Sequence, residues 1–172
     1  MKFLKLSSDW VFYVELNICY LALPVFDYGD LVWCDKNNVT LINDIQALQN
    51  KAAKIILDRP LYSSATDALV TLKWLNLEQR RFYQRCIYIY KSINGLTNHS
   101  MNLLTHIDIY NYDTRNKDML RLPRVTRNWG KQRVCHHSLK DWNKLKRVTR
   151  NALNIATFKR SVFARFLNLP YR

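Results

Sequence analysis

The residues with the most obvious chemical potential lie in a short apolar run, "PVFDYGDLVW", which spans residues 24–33 and holds Asp27 and Asp30. Two neighbouring acids raise the question of two-metal nucleotidyl transfer, in which carboxylates gather around ions about 3.5–4 Å apart. Asp27 and Asp30 are three residues apart, so in an extended segment their side chains would point to opposite faces. The spacing therefore favours a packed turn, in which an aspartate hydrogen-bonds nearby backbone amides, over a catalytic metal site.

The cysteines and histidines do not have metal-ligand spacing. The four cysteines, at positions 19, 34, 86 and 135, are far apart and form no C-x-x-C motif. His136 and His137 are adjacent and would diverge by about 100° on a helix, so they cannot easily share one ion. The sequence also has no Gly-rich phosphate loop, nucleophile elbow or H-E-x-x-H motif. We expect reduced thiols, no metal, no cofactor and no catalytic residue.

Positive charge is concentrated in the last third of the chain. The formal net charge is +14, yet residues 1–114 hold 11 basic and 11 acidic residues, whereas residues 115–172 hold 16 basic and 2 acidic residues. Basic side chains interleaved with amides and an aromatic suit a polyanion whose phosphates need charge and whose bases can stack. The predicted nucleic-acid-binding residues are Arg115, Arg121, Arg124, Arg127, Trp129, Lys131, Arg133, Lys144, Lys146 and Arg147.

Two other interpretations of this charge stay open. The first is a solvated basic surface that aids solubility and has no dedicated ligand. The second, weaker one is an anionic membrane surface, but Pro123 interrupts the densest basic run, where a membrane-lying helix would need clean opposite faces. The window from Val11 to Phe26 contains Glu15, Asn17 and Pro24, so it falls short of the roughly 20 apolar residues of a membrane span. We expect an intracellular protein, with the nucleus as one candidate location.

Apolar periodicity predicts a mainly α protein with at most a small β element. The predicted helices cover residues 11–23, 40–56, 65–71, 77–93, a short stretch near 100–106, a segment through residues 134–145, and 156–167. In the helix over 40–56, the apolar stripe of Leu41, Ile45, Leu48, Ala52 and Ile55 or Ile56 is predicted to face the core. Residues 119–125 alternate apolar and basic side chains and could form an edge strand.

Faces and caps can be predicted for the other helices. Ser64 and Asp67 are spaced as a capping box for the helix over 65–71. The inward positions of the helix over 77–93 are Leu77, Phe82, Cys86, Ile89 or Tyr90, and Ile93. Its basic set of Arg80, Arg81 and Arg85 suits a solvated face, with Glu78 as local partner, as well as it suits a phosphate-facing role. Phe158, Val162 and Phe166 form the packing side of the last helix.

Ten short motifs occur in an order that resembles one known family. They are Leu23-Pro24-x-Phe26-Asp27-Tyr28, Val32-Trp33, Leu48 to Ile56, Leu72-x-Trp74-Leu75-x-Leu77-x-x-Arg80-Arg81, Tyr90-Lys91-x-x-Asn94-Gly95, Tyr112-x-Thr114-Arg115, Leu122-Pro123, Gly130-Lys131, Trp142-Asn143-x-Leu145 and Phe158-Lys159. Over about residues 15–167 the chain resembles the region that follows the polymerase core in reverse transcriptases of LINE-type (non-LTR) retrotransposons, particularly jockey-like ones. Ser138 and Lys146 depart from the Gly and Pro usual in that family, and residues up to Trp10 match poorly.

The resemblance implies a helical thumb-like region over residues 1–109 and a basic C-terminal module over 110–172. In that family the catalytic Asp-Asp box lies in the palm, upstream of the matched region, and this sequence contains no Asp-Asp pair. The chain is therefore expected to be a truncated remnant of an RNA-directed DNA polymerase. It would not be an enzyme but would bind template and primer, as RNA, DNA or a duplex of them, without sequence preference. Two alternatives are a protein-interaction fragment that self-associates through its exposed palm-facing apolar surface, and a non-functional relic.

Overall fold

The computed structural model of the chain describes residues 39–97, 103–110, 117–127, 130 and 133–167. The "PVFDYGDLVW" segment and the predicted helix over 11–23 lie outside the described residues. The helices are α1 (Val39–Ile56), α2 (Ala65–Thr71), α3 (Leu77–Ile93), α4 (His106–Tyr110), α5 (Val134–Asn143), α6 (Arg147–Arg150) and α7 (Ile155–Leu167). The predicted mainly α class is confirmed. None of the helices in the described ranges is long and apolar enough to cross a membrane.

The described residues belong to two compact units, which divide between Arg80 and Arg81 within α3. The first unit contains α1, α2 and the first turn of α3, and the second contains the rest of α3 and the elements up to α7. The domain boundary predicted between residues 109 and 110 falls inside the second unit. It stays a prediction.

The first unit is built where α1 packs on α2. Its buried core consists of Ala53, Ile56, Ala68, Leu69 and Trp74. Ser64 caps α2 as predicted, since its side chain accepts a hydrogen bond of 3.3 Å from the backbone N–H of Asp67. The helix then ends in a left-handed residue, Lys73, at φ 55°. There the N–H of Trp74 returns to the carbonyl of Leu69 at 2.8 Å, which satisfies a carbonyl that the helix end would leave unpaired.

The predicted inward stripe of α1 is wrong at Leu41, Leu48 and Ile55, whereas Ile56, the alternative to Ile55, is buried. Leu41, Leu48 and Ile55 are more than half exposed, and the buried side chains are Gln49, Ala53 and Ile56. The reason is that a polar residue, Gln49, is buried in place of the stripe. The side-chain amide of Gln49 donates to the carbonyl of Leu75 at 2.9 Å and accepts from the Gln46 amide at 2.9 Å, so a buried glutamine has its hydrogen bonds satisfied.

The second unit is held together by aromatic side chains from α3, α5 and α7. Tyr90 stacks on Phe158 with ring centroids 4.4 Å apart, and Trp142 lies 5.6 Å from the same phenyl ring. Phe158, Val162 and Phe166 are buried, which confirms the predicted packing side of the last helix. The Tyr90 hydroxyl donates to the carbonyl of Ala152 at 2.9 Å and so has a partner despite its burial.

Burial along α3 follows the prediction except at its end. Leu77, Cys86, Ile89 and Tyr90 are buried, and Phe82 is half-buried with its ring centroid 5.4 Å from that of Phe166. Ile93 is 48% exposed, so its predicted inward position is wrong. It lies in the last turn of the helix, just before the chain leaves through Gly95 at φ 66°.

The short helix expected near 100–106 begins later than predicted. Residues 103–105 are not helical, and α4 starts at His106. Thr105 and Asp108 set this start, because the Asp108 carboxylate accepts from the Thr105 backbone N–H at 2.7 Å while the Thr105 hydroxyl accepts from the Asp108 N–H at 3.4 Å. The hydrogen bonds from Thr105 lower the pKa of the Asp108 carboxyl below its usual value.

The segment predicted as an edge strand pairs at one residue. Leu120 forms an isolated antiparallel bridge with Thr105, and residues 121–126 have no regular structure. On its other side, the Asn143 side chain takes the place of a neighbouring strand. Its amide donates to the Leu120 carbonyl at 2.8 Å and its oxygen accepts from the Leu120 N–H at 3.0 Å. Pro123 has no N–H to continue a ladder, so the pairing stops.

Candidate nucleic-acid interface

A buried ion pair forms the base of the candidate interface in the second unit. The Arg85 guanidinium on α3 lies 2.7 Å from the Asp141 carboxylate on α5, and the two side chains are 8% and 6% exposed. Both roles weighed for Arg85, a solvated face and a phosphate contact, are therefore wrong. The sequence could not show this, because its partner is 56 residues away.

Lys144 extends this ion pair to the surface. Its amine lies 2.8 Å from the second oxygen of Asp141, and its side chain is half exposed. The same amine lies 5.7 Å from the centroid of the Phe82 ring, and the Arg165 guanidinium lies 5.2 Å from that centroid. Arg165 also donates to the carbonyl of Lys144 at 3.2 Å. Two cations are thus positioned around one aromatic ring, whose face attracts positive charge.

Lys144 and Arg165 line what we call the basic groove, a cavity of about 500 Å³ between α7 and the turn after α5. Its cations are Lys144, Lys146 and Arg165, and the half-buried hydroxyl residues Thr149 and Ser161 also line it. The described residues that line it include no acid. Cations and hydroxyl donors without a competing carboxylate are the groups that hold phosphate oxygens.

A second cavity of about 360 Å³, which we call the arginine groove, is lined by Arg121 and Arg124 together with apolar side chains that include Leu104, Pro123 and Leu139. Both arginines are exposed. The hydrogen bonds between Asn143 and Leu120 fix the backbone immediately before Arg121, and the N–H of Arg121 donates to the Leu104 carbonyl at 2.9 Å. These bonds fix the backbone at Arg121, and Arg124 follows three residues later in a segment without regular structure.

The two acids of residues 115–172 are both engaged inside the second unit. Asp141 is buried against Arg85 and Lys144, and Asp118 lies 3.0 Å from the Nε of Arg147. The Asp118 carbonyl also accepts from Arg150 at 2.9 Å. The charge of Arg147, a predicted site residue, is consequently neutralised by the partly exposed carboxylate of Asp118. The sequence of residues 115–172 contains no third acid that could oppose the other basic side chains of this segment.

The structure places the predicted site residues in three groups. Arg121 and Arg124 line the arginine groove, and Lys144 and Lys146 line the basic groove. Arg127, Arg133 and Arg147 are exposed outside both grooves, where Arg133 precedes α5 and Arg147 pairs with Asp118. Arg115, Trp129 and Lys131 lie outside the described residues.

Arg165 is the groove residue that sequence reasoning missed. It is exposed on α7, between the buried positions Val162 and Phe166. The signal was present in the helical period: Phe158, Val162 and Phe166 were assigned to the core, so the charged positions between them had to face outward. The sequence alone does not show that the outward face of α7 lies close to Lys144.

Neither thiol chemistry nor metal binding is favoured by the described residues around this site. Burial raises the pKa of the Cys86 thiol, and the neighbouring Asp141 carboxylate raises it further, so the thiol stays protonated and unreactive. Within the described ranges no three His, Cys, Asp or Glu side chains lie close enough to hold a metal ion.

Comparison of the chain with models of protein families, with curated protein sequences and with solved structures yields no match.

Proposed function

We propose that the second unit binds the sugar-phosphate backbone of RNA or DNA without sequence preference. The observation that carries the proposal is the internal engagement of Asp118 and Asp141, which leaves the basic and arginine grooves lined by exposed cations without an acidic lining residue among the described ones. The segregated charge of the last third of the sequence supports the same function.

The two grooves suit different parts of a nucleic acid. The basic groove combines Lys146 and Arg165 with hydroxyl groups, which favours phosphate oxygens. The arginine groove places Arg121 and Arg124 beside apolar walls, and a guanidinium next to an apolar surface can pack on a sugar or base while it pairs with a phosphate. The described lining residues of the two grooves are cations, hydroxyl residues and apolar residues, with no asparagine, glutamine or acid to pair with base edges, so binding is expected to be independent of sequence.

We propose further that the chain corresponds to the region that follows the palm in a retrotransposon reverse transcriptase of the LINE type. Support comes from the ordered motifs over about residues 15–167 and from the lack of any Asp-Asp pair in the sequence. In this proposal the chain performs no catalytic step, and purified protein incorporates no nucleotide in a primer-extension assay. Template-dependent extension by the purified chain would contradict it.

The proposed binding is tested by fluorescence anisotropy with a labelled primer-template duplex. The variant Lys146→Ala/Arg165→Ala removes two exposed cations from the basic groove, and we expect roughly hundredfold weaker binding at low salt, since two lost phosphate contacts of about 1.5 kcal/mol each cost about 3 kcal/mol. The matched control is Lys140→Ala, which removes an exposed charge of α5 that does not line the groove. Circular dichroism verifies that the variants keep their helix content.

The control separates a defined groove from a diffuse basic surface. If Lys140→Ala weakens binding as much per charge as the groove variant does, the groove has no special role. If the groove variant binds as tightly as the unmodified chain, the proposal for this groove is contradicted. Arg121→Ala/Arg124→Ala tests the arginine groove in the same assay, and an unchanged affinity would exclude it from the interface.

A further inference from the structure

Helix α1 carries an exposed apolar stripe, which consists of Leu41, Ile45, Leu48, Ala52 and Ile55. Leu41, Leu48 and Ile55 are 53%, 57% and 57% exposed, and Ile45 and Ala52 between them are half-buried. The spacing alternates between four and three residues, which is the a/d pattern of helices that pair along an apolar seam.

The stripe is separate from the face that α1 uses in its own core. At about 100° per residue, the buried side chains Gln49, Ala53 and Ile56 are centred about 90° around the helix from the stripe. The helix therefore carries apolar side chains on two faces, and among the described residues only the face of Ala53 and Ile56 is covered in the core of the first unit. A single exposed leucine is common on protein surfaces, but three large apolar side chains in one exposed line form a patch of the kind that marks an interaction site.

The charges that border the stripe indicate what would cover it. Asp44 and Lys51 are exposed and lie on the side of the stripe away from the core, seven residues apart. When two α1 helices run antiparallel with Leu48 of each copy beside Ile45 of the other, Asp44 of each copy faces Lys51 of the other. A shift by one heptad would instead bring Lys51 against Lys51. The border is thus complementary to its own antiparallel copy in one register.

A parallel pair lacks this complementarity. In parallel pairing, the residues that border the seam on one side meet those that border it on the other, and here the second border is formed by Ile42, Gln49 and Ile56. Gln49 and Ile56 are buried in the core of the first unit. Asp44 and Lys51 would find no charge of opposite sign there.

We propose that α1 is a dimerisation helix, and that two copies of the chain associate through antiparallel α1 stripes around a two-fold axis. Such an interface is isologous and closes on itself, so it gives a dimer and no fibre. The proposal does not depend on nucleic-acid binding, which lies in the other unit. One helix seam of 18 residues, about 27 Å long, is smaller than a standard interface of about 800 Å² per partner, so we expect a dissociation constant of roughly micromolar order.

Sedimentation equilibrium of nuclease-treated protein over a range around micromolar concentrations tests the proposal. We expect a monomer–dimer equilibrium that Leu48→Asp weakens at least tenfold, since the charge would lie in the centre of the seam. The matched control is Leu153→Asp, which places the same change at a leucine that is 99% exposed in the second unit and should leave association unchanged. Circular dichroism confirms that each variant is folded.

A charge exchange tests the register. Asp44→Lys places a second lysine against Lys51 of the other copy and should weaken the dimer severalfold, while Asp44→Lys/Lys51→Asp restores opposite charges in both copies and should recover the original affinity. A chain that stays monomeric at all concentrations, including one whose stripe binds another protein, would overturn the proposal. It would also be overturned by association that Leu48→Asp leaves intact or by a double variant no tighter than the single one.

Discussion

Breaking the Arg85–Asp141 ion pair should destabilise the second unit more than breaking any other polar contact between its described residues. Asp141→Asn keeps the shape of the side chain but leaves the guanidinium charge of Arg85 without a counter-charge, at a position where the side chains are 8% and 6% exposed. Removing one partner of a buried pair typically costs about 3–5 kcal/mol, because the other charge stays buried and unpaired. We expect a loss near the lower end, about 3 kcal/mol, since an asparagine oxygen can still accept a hydrogen bond.

Urea denaturation followed by circular dichroism measures this loss as a lower midpoint. The matched control is Asp118→Asn, which breaks the ion pair with Arg147, where the side chains are 40% and 65% exposed. A pair so exposed contributes about 0–1 kcal/mol. A loss below about 1 kcal/mol for Asp141→Asn, or equal losses for the two variants, would refute the assignment of Asp141 as a buried structural anion.

Three further predictions concern the cores, a helix end and a thiol. Phe158→Ala should reduce the free energy of unfolding by about 3–5 kcal/mol, because a fully buried ring that contacts Tyr90 and Trp142 leaves a cavity, whereas Leu153→Ala should have almost no effect in the same denaturation assay. Lys73→Gly should stabilise the chain by roughly 1 kcal/mol, measured as a rise in the denaturation midpoint, because glycine removes the cost of the left-handed conformation at φ 55°; a drop in the midpoint would contradict this. Cys86 should react with a thiol reagent at neutral pH far more slowly than the half-buried Cys135, as judged by peptide mapping, because burial raises its pKa and blocks access; equal rates in the folded protein would contradict this.

The positions of the helices were predictable because the period of apolar residues is a local property. The ranges predicted for α1, α2, α3 and α7 differ by at most one residue from those in the structure. The buried face of α1 was not predictable in the same way. The number of apolar residues favours burial of the stripe through Leu48. Gln49 is buried instead, because its hydrogen-bond partner, the carbonyl of Leu75, comes from a segment 26 residues away.

The candidate interface could be predicted in composition but not in arrangement. The charge excess of residues 115–172 drew attention to Arg121, Arg124, Lys144 and Lys146, and these residues do line grooves. That Asp141 would be buried by Arg85 depends on contacts between distant elements. The approach of Arg165 to Lys144 depends on such contacts as well, and a single sequence does not contain them.

The salt dependence of nucleic-acid binding by the complete chain tests the central proposal most directly. With a duplex ligand, the logarithm of the association constant should fall linearly with the logarithm of the salt concentration, with a slope of about −0.9 for each phosphate neutralised. Four groove cations, Arg121, Arg124, Lys146 and Arg165, predict a slope of roughly −3 to −4 that is the same for unrelated duplex sequences. A slope near zero, or binding to one sequence only, would contradict the proposed function.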